Sequence, residues 1–192
     1  MKIKWLILTG AVALSAFTTA QATPITGEVD MSGTVTLNNI FLGSASAATA
    51  FSAVTVGGIP TGSFVGTAGD SVTWHAFSWP GGSASPLWSY TDVGTGDTYS
   101  FALSTDSIVS QSNTFLNLLG AGTLSISGPG GYTPTTGTWS FTISNPDGSS
   151  HANFAFTFAN SQTSVPDGGS TAAMLGLALS AIGLVVRKAR CS

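Results

Sequence analysis

Two kinds of side-chain group in this sequence could bind a metal ion. His75 and His151 are its only histidines, and imidazole nitrogen is a common zinc ligand. Without cysteine or clustered carboxylates they form a weak site, and two strand positions are the simpler interpretation. Paired carboxylates are the second kind, because oxygen ligands suit Ca²⁺. No complete calcium-loop pattern is present, so we favour solvated acids that keep the domain soluble and expect neither metal nor cofactor. The carboxylate pairs are Glu28 with Asp30 and Asp92 with Asp97.

A Gly-Asp-Ser tripeptide at Gly69–Ser71 offers a nucleophilic serine. It resembles the nucleophile block of GDS-type esterases, in which the serine follows a strand, precedes a helix and works with an Asp-x-x-His near the C-terminus. Here a strand pattern follows Ser71, and Asp147 stands four residues before His151, which is a different spacing. The sequence favours a turn that enters a strand at Val72. We therefore expect no enzyme activity and keep a small hydrolase as a less favoured alternative.

Aromatic side chains could instead form a stacking platform for sugars. Their alternating positions place most of them in a core. Trp79 precedes Pro80 and two glycines, where a loop begins, so we predict that it is the most exposed of them. A carbohydrate-binding module is the alternative function on this ground. The candidates are Trp74, Trp79, Trp88, Tyr90 and Trp139.

The charge distribution excludes several classes of partner. Between Thr23 and Ser164 the chain has seven carboxylates and no Lys or Arg, which gives this block a formal net charge of −7. Such a block cannot neutralise phosphates, so nucleic-acid binding is excluded. Its sheet edges also lack the lysines that usually block strand pairing, and we expect edge-to-edge self-association. Because Cys191 is the only cysteine, the stability of the block must come from a packed core.

Apolar and polar residues alternate with a period of two through most of this block. The pattern at 25–37 predicts a strand, or a hairpin bent near Gly33. It also predicts a late hairpin formed by 137–144 and 152–160, with a Pro-Asp-Gly turn between its strands. The stretch at 71–79 alternates on both faces and predicts a central or sheet-spanning strand. Short strands with polar turns and no convincing helix predict an all-β fold, an antiparallel β-sandwich of jelly-roll-like form.

The N-terminus has the composition of an export signal. Two lysines precede an apolar stretch at 5–17, and Ala20 and Ala22 supply a small-x-small cleavage pattern. We predict a signal peptide at 1–22 that signal peptidase removes, followed by a secreted domain at 23–160.

A short linker at 161–164 leads to a segment at 165–192 with three parts: a turn-forming motif, an apolar run and a basic stub. The apolar run Ala172–Val186 would span ~23 Å as a helix, against a hydrocarbon core of ~30 Å. We predict a single short transmembrane helix with its basic end in the cytoplasm. A permanent anchor is the alternative. The motif residues are Val165, Pro166, Asp167, Gly168 and Gly169, and the basic residues are Arg187, Lys188 and Arg190.

These three parts in this order resemble a C-terminal sorting signal of the PEP-CTERM class, and more narrowly its VPDSG-type variant. Gly168 stands where the variant has Ser, and Asp167 stands where the main class has Glu. The resemblance implies an envelope or matrix protein of a Gram-negative bacterium that makes exopolysaccharide. It also implies recognition by an exosortase, an integral-membrane cysteine protease or transpeptidase, which cuts at the motif and removes the tail.

Together with this resemblance, the sequence predicts an exported, non-enzymatic protein with a structural or adhesive role, which the resemblance associates with exopolysaccharide or biofilm. It would be anchored transiently in the inner membrane and then pass to the cell surface or the extracellular matrix. Its expected partners are signal peptidase and exosortase during processing, and polysaccharide or further copies of itself afterwards.

Overall fold

The computed structural model describes residues 23–160, and the predicted signal peptide, linker and sorting segment lie outside them. This part is built of β-strands with two short 3₁₀ turns, Leu42–Ser44 and Gly62–Phe64, and it contains no α-helix. The all-β prediction is therefore confirmed. The strands are β1 Thr23–Pro24, β2 Gly27–Leu37, β3 Ala47–Val56, β4 Thr73–Trp74, β5 Phe77–Ser78, β6 Ala84–Thr91, β7 Thr98–Gln111, β8 Phe115–Ser127, β9 Tyr132–Thr133, β10 Thr135–Ser144 and β11 His151–Asn160.

Membrane spans were sought along the same described part of the chain. No helix there is long and apolar enough to cross a bilayer. The predicted span at 172–186 lies outside the described residues.

Nine of these strands form one antiparallel sheet in the order β4-β6-β7-β8-β10-β11-β2-β3-β5. β1 and β9 form a separate parallel pair. The predicted late hairpin is confirmed, with Trp139 opposite Phe158 and Phe141 opposite Phe156. Since residues directly opposite each other share a face, these four rings all point to the same side of the sheet. β2 fulfils the strand prediction at 25–37.

The segment at 69–79 joins the two ends of this sheet, so the sheet curls around one core. It bonds to β3 at both of its ends, through Val72 N to Val54 O at 3.0 Å and through the pairing of β5 with Ala48. Between those ends, β4 pairs with β6. The fold is thus one curled sheet where we expected a sandwich of separate sheets.

The predicted continuous strand at 71–79 is interrupted, and it forms only the two-residue strands β4 and β5. β3 supplies a physical reason. Ala53 has φ of 52°, in the left-handed region, and the pairing of β2 with β3 carries register shifts on this stretch. Such irregularities bend a strand and interrupt its ladder. The segment therefore meets β3 near both ends of β3 and meets β6 in between.

Aromatic rings fill the interior and lie over glycines of neighbouring strands. The Trp88 ring stacks on Phe101 with centroids 5.5 Å apart. A Cβ placed on Gly122 would overlap the Phe101 ring, and one on Gly137 would come within 2.5 Å of Phe158. These glycines sit on the inner face of the sheet, where the missing side chain leaves the space that a ring occupies. Their role is packing, and they do not mark turns.

Adding one methyl group at Gly122 tests this packing. We expect Gly122→Ala to lower the free energy of unfolding by about 1–3 kcal/mol, because the new Cβ meets the Phe101 ring and the Ala102 carbonyl. Urea unfolding of the purified protein measures the change. Gly58→Ala is the control, since no atom lies within 4 Å of its Cβ position. Equal midpoints for the two variants would contradict the proposed packing.

Candidate functional site

The aromatic candidates do not form an exposed platform. Trp79, which we expected to be the most exposed, is only 3% exposed, so that prediction is wrong. Its backbone N–H donates to Ser46 O at 2.8 Å, and its ring lies 5.5 Å from that of Phe77. Its side chain is therefore part of the core although it stands beside a loop. The remaining candidates are buried as well: Trp74, Trp88, Tyr90 and Trp139.

The serine and histidine candidates lie apart. Ser71 forms a single bridge to Thr55 and leads into a strand, as expected for the turn interpretation. His75 donates its backbone N–H to Leu87 O, and the Nδ1 of His151 lies 3.2 Å from the hydroxyl of Ser150. In the described part of the chain, the hydrogen bonds of the two histidines are made with different residues and do not join them.

The two acidic pairs have different environments. Glu28 and Asp30 are exposed on β2, and Asp30 Oδ1 accepts a hydrogen bond from the Thr157 hydroxyl at 2.7 Å. Asp92 and Asp97 are buried, which corrects their interpretation as solvated acids. Across residues 23–160, no group of three or more His, Cys, Asp or Glu side chains is arranged to hold a metal ion.

Asp92 shapes the loop that joins β6 to β7. Its Oδ1 accepts from the N–H of Gly94 at 2.7 Å, and its Oδ2 accepts from the hydroxyl of Thr95 at 2.8 Å. These bonds favour the charged carboxylate, so they hold the pKa of Asp92 below its usual value. The carboxylate acts as a local template for the turn.

Asp70 lies near this loop and has the opposite shift. Burial raises the pKa of Asp70, and the charge of Asp92 raises it further, while the N–H of Val93 lowers it. Burial also raises the pKa of Tyr99 to about 12. The Tyr99 hydroxyl donates to Ser63 O at 2.9 Å. Because this end of the described domain has carboxylates and no Lys or Arg, like charges repel there without compensation.

The outer face of the sheet bears a shallow depression of about 340 Å³ over β8, β10 and β11. Small and hydroxyl-bearing side chains line it together with the half-exposed Leu119. This is a surface on which an uncharged sugar chain could lie. Trp139, one member of the predicted aromatic platform, also lines the depression, but it is only 3% exposed. The side chains on its floor include Thr138, Ser140, Thr157 and Ala159.

Part of β7 forms an uncovered strand edge. β6 begins at Ala84, which pairs with Leu103, whereas β7 continues to Gln111. Beyond Leu103, β7 pairs with β8 alone among the strands that the structure describes. The strands at the ends of the sheet are short and are joined by the segment at 69–79, and this uncovered stretch lies in the middle of the sheet order.

Comparison with known proteins identifies the sorting segment. The VPDSG-CTERM motif matches residues 164–188. The chain carries a PEP-CTERM-type sorting signal. The match contains Val165–Gly169 and reaches Lys188, and this confirms the resemblance seen in the sequence. Neither the curated proteins nor the solved structures yielded a match to this chain.

The sorting signal indicates an exported protein that crosses the membrane and is processed by an exosortase. The structure tests neither the cleavage sites nor the transmembrane segment, because those residues lie outside 23–160. For the domain itself, sequence reasoning missed the uncovered β7 edge. The strand lengths in the structure show this edge, because β7 has 14 residues and the neighbouring β6 has only 8.

The opposite pKa shifts of Asp70 and Asp92 predict how a change at Asp70 alters the thermal stability of the domain at different pH values. A raised folded-state pKa means that ionised Asp70 destabilises the fold at neutral pH and that protonation relieves this. We expect Asp70→Asn, which keeps an acceptor for Val93 N–H, to raise Tm at pH 7. The gain should vanish near pH 3, below the unfolded pKa of about 3.9, where both states are protonated.

Thermal unfolding of the variant at both pH values measures this effect. Asp147→Asn is the matched control, since Asp147 is exposed in a turn. A lower Tm for Asp70→Asn at pH 7, or a gain that persists at pH 3, would refute the electrostatic explanation.

Proposed function

We propose that this chain is a non-enzymatic surface or extracellular-matrix protein with a structural or adhesive role, associated with exopolysaccharide or biofilm. The observation that carries the proposal is the sorting signal at 164–188, placed directly after a compact β domain. An exosortase would release the domain from its transient anchor in the inner membrane and pass it to the cell surface or the matrix.

The first backbone bond of the described domain is compatible with the predicted signal-peptidase site. Cleavage after Ala22 leaves the nitrogen of Thr23 able to donate to Gly131 O, a bond of 3.2 Å in the structure. Removal of a signal peptide at 1–22 would therefore keep this bond.

The charge of the domain supports its release from the membrane. The described residues carry seven carboxylates and no Lys or Arg, so anionic lipid headgroups repel the domain. The basic residues near the C-terminus are Arg187, Lys188 and Arg190, and they leave with the tail. Once the tail is cut, the electrostatic interaction no longer favours the membrane surface.

The environment of Ser71 supports a structural role over a hydrolase. Ser71 lies in a bridge to Thr55, and among the hydrogen bonds of the described residues none joins it to a histidine. The buried Asp92 is engaged by its own loop. In this proposal, adhesion would occur by contact between uncharged polysaccharide and the depression over β8, β10 and β11.

Matrix cohesion distinguishes these functions in the host. We expect deletion of the gene to lower the elastic modulus of the biofilm, and we expect the Ser71→Ala protein to restore it fully. A chain with Val165–Gly169 replaced by alanines should fail to restore it, because the domain would stay on the membrane. Failure of Ser71→Ala alone would favour the hydrolase, and an unchanged modulus after deletion would contradict the structural role.

A further inference from the structure

The second half of β7 has a side that no other strand covers. Besides β8, hydrogen bonds reach its two ends. Gly81 N donates to Asp106 Oδ1 at 2.7 Å and Trp139 Nε1 donates to Thr105 O at 3.3 Å near its start, and Gln111 Nε2 at its end donates to Leu42 O and Ala45 O at 2.7 Å. For Ser107–Ser110, every hydrogen bond found in the described structure is made with β8. The other side of this stretch faces solvent. We refer to Ser107–Ser110 as the β7 edge.

The side chains of the β7 edge are exposed and partly apolar. Ile108 is 38% exposed and Val109 is 54% exposed. On the neighbouring β8, Phe115 and Leu119 are also more than 40% exposed. The edge contains no Lys and no Pro, the residues that most often protect such strands. Asp106, just before it, is the nearest charged residue in the strand.

The number of consecutive residues with regular strand geometry limits how strongly the β7 edge can pair with another strand. The register of β7 with β8 shifts between Leu103 and Thr105 and again between Ile108 and Ser110. Bulges of this kind shorten the run that a partner strand can follow. A contact through this edge is therefore short and depends on a high local concentration of the protein, such as a surface or a matrix provides.

We propose that the β7 edge pairs in antiparallel fashion with the same edge of a second copy about a twofold axis. Antiparallel pairing of identical strands is self-complementary, so each copy satisfies the free backbone groups of the other. The pairing also covers Ile108 and Val109 of both copies. This inference rests on the structural role proposed above and names the contact through which copies associate.

Engineered cysteines test the pairing in the full chain, because the sequence has no cysteine other than Cys191. With Cys191→Ser as background, Ser107→Cys and Ser110→Cys are introduced together and the chain is expressed in its host. An antiparallel pair whose axis lies midway between the two positions places Ser107 of one copy opposite Ser110 of the other. We expect a disulfide-linked band of twice the chain mass on non-reducing gels, with the linkage mapped by mass spectrometry.

Ser32→Cys with Ser140→Cys is the matched control, since these serines lie on strands that are paired on both sides. We expect no linked band from it. Equal linking by control and edge variants would overturn the proposal, as would the absence of any linked band. A linked band of another mass would assign the edge to a different protein and would also overturn it.

A charge placed in the edge gives an independent check. Ile108→Lys in the double-cysteine background should abolish the linked band, because two like charges would then meet across the axis. Ile59→Lys is the control, since Ile59 is 86% exposed outside the strands and should leave the band unchanged. A band that persists with Ile108→Lys would contradict the pairing. None of these results depends on where the tail is cut, so failure here is distinguishable from failure of the proposed function.

Discussion

Aromatic rings in this domain lie directly over glycines of the neighbouring strand, and the curled sheet depends on that contact. Residues 23–160 contain no Lys, Arg or Cys, so neither disulfides nor lysine and arginine salt bridges hold this part together. The stabilising free energy must come from buried apolar surface and from the backbone ladder. A buried aromatic ring removes 150–250 Å² from water. Gly122 and Gly137 let such rings lie close to the backbone, and they also fix the register, because a slip would place a Cβ where a ring now lies.

The local parts of the fold could be read from the sequence, and the long-range parts could not. Alternation with a Pro-Asp-Gly turn identified the hairpin of β10 and β11, because both signals act within some twenty residues. The same alternation at 71–79 reports only which side chains are buried. It does not report that this segment contacts β3 near both its ends and β6 in between. That arrangement depends on a bend at Ala53, which the sequence does not mark.

The candidate site shows the same division. The position of Trp79 beside a loop suggested exposure, yet its side chain is buried, and its backbone is bonded to Ser46, which is distant in sequence. Asp92 lies in a glycine-rich loop as expected, but its carboxylate accepts hydrogen bonds from Gly94 and Thr95 and so stabilises the loop. The sorting signal was recognisable because its three parts are contiguous in sequence and need no tertiary contact to be seen. The export of the protein could therefore be predicted from the sequence better than the binding properties of its surface.

The account as a whole depends on a domain that is delivered by its tail and then separated from it. The intact mass of the protein isolated from its host, with and without the exosortase, tests this most directly. We predict that the native protein begins at Thr23 and ends within Val165–Gly169, and that loss of the exosortase restores the mass of the segment through Arg190. A mass that includes Arg190 in both strains would contradict the account and leave a permanent membrane anchor.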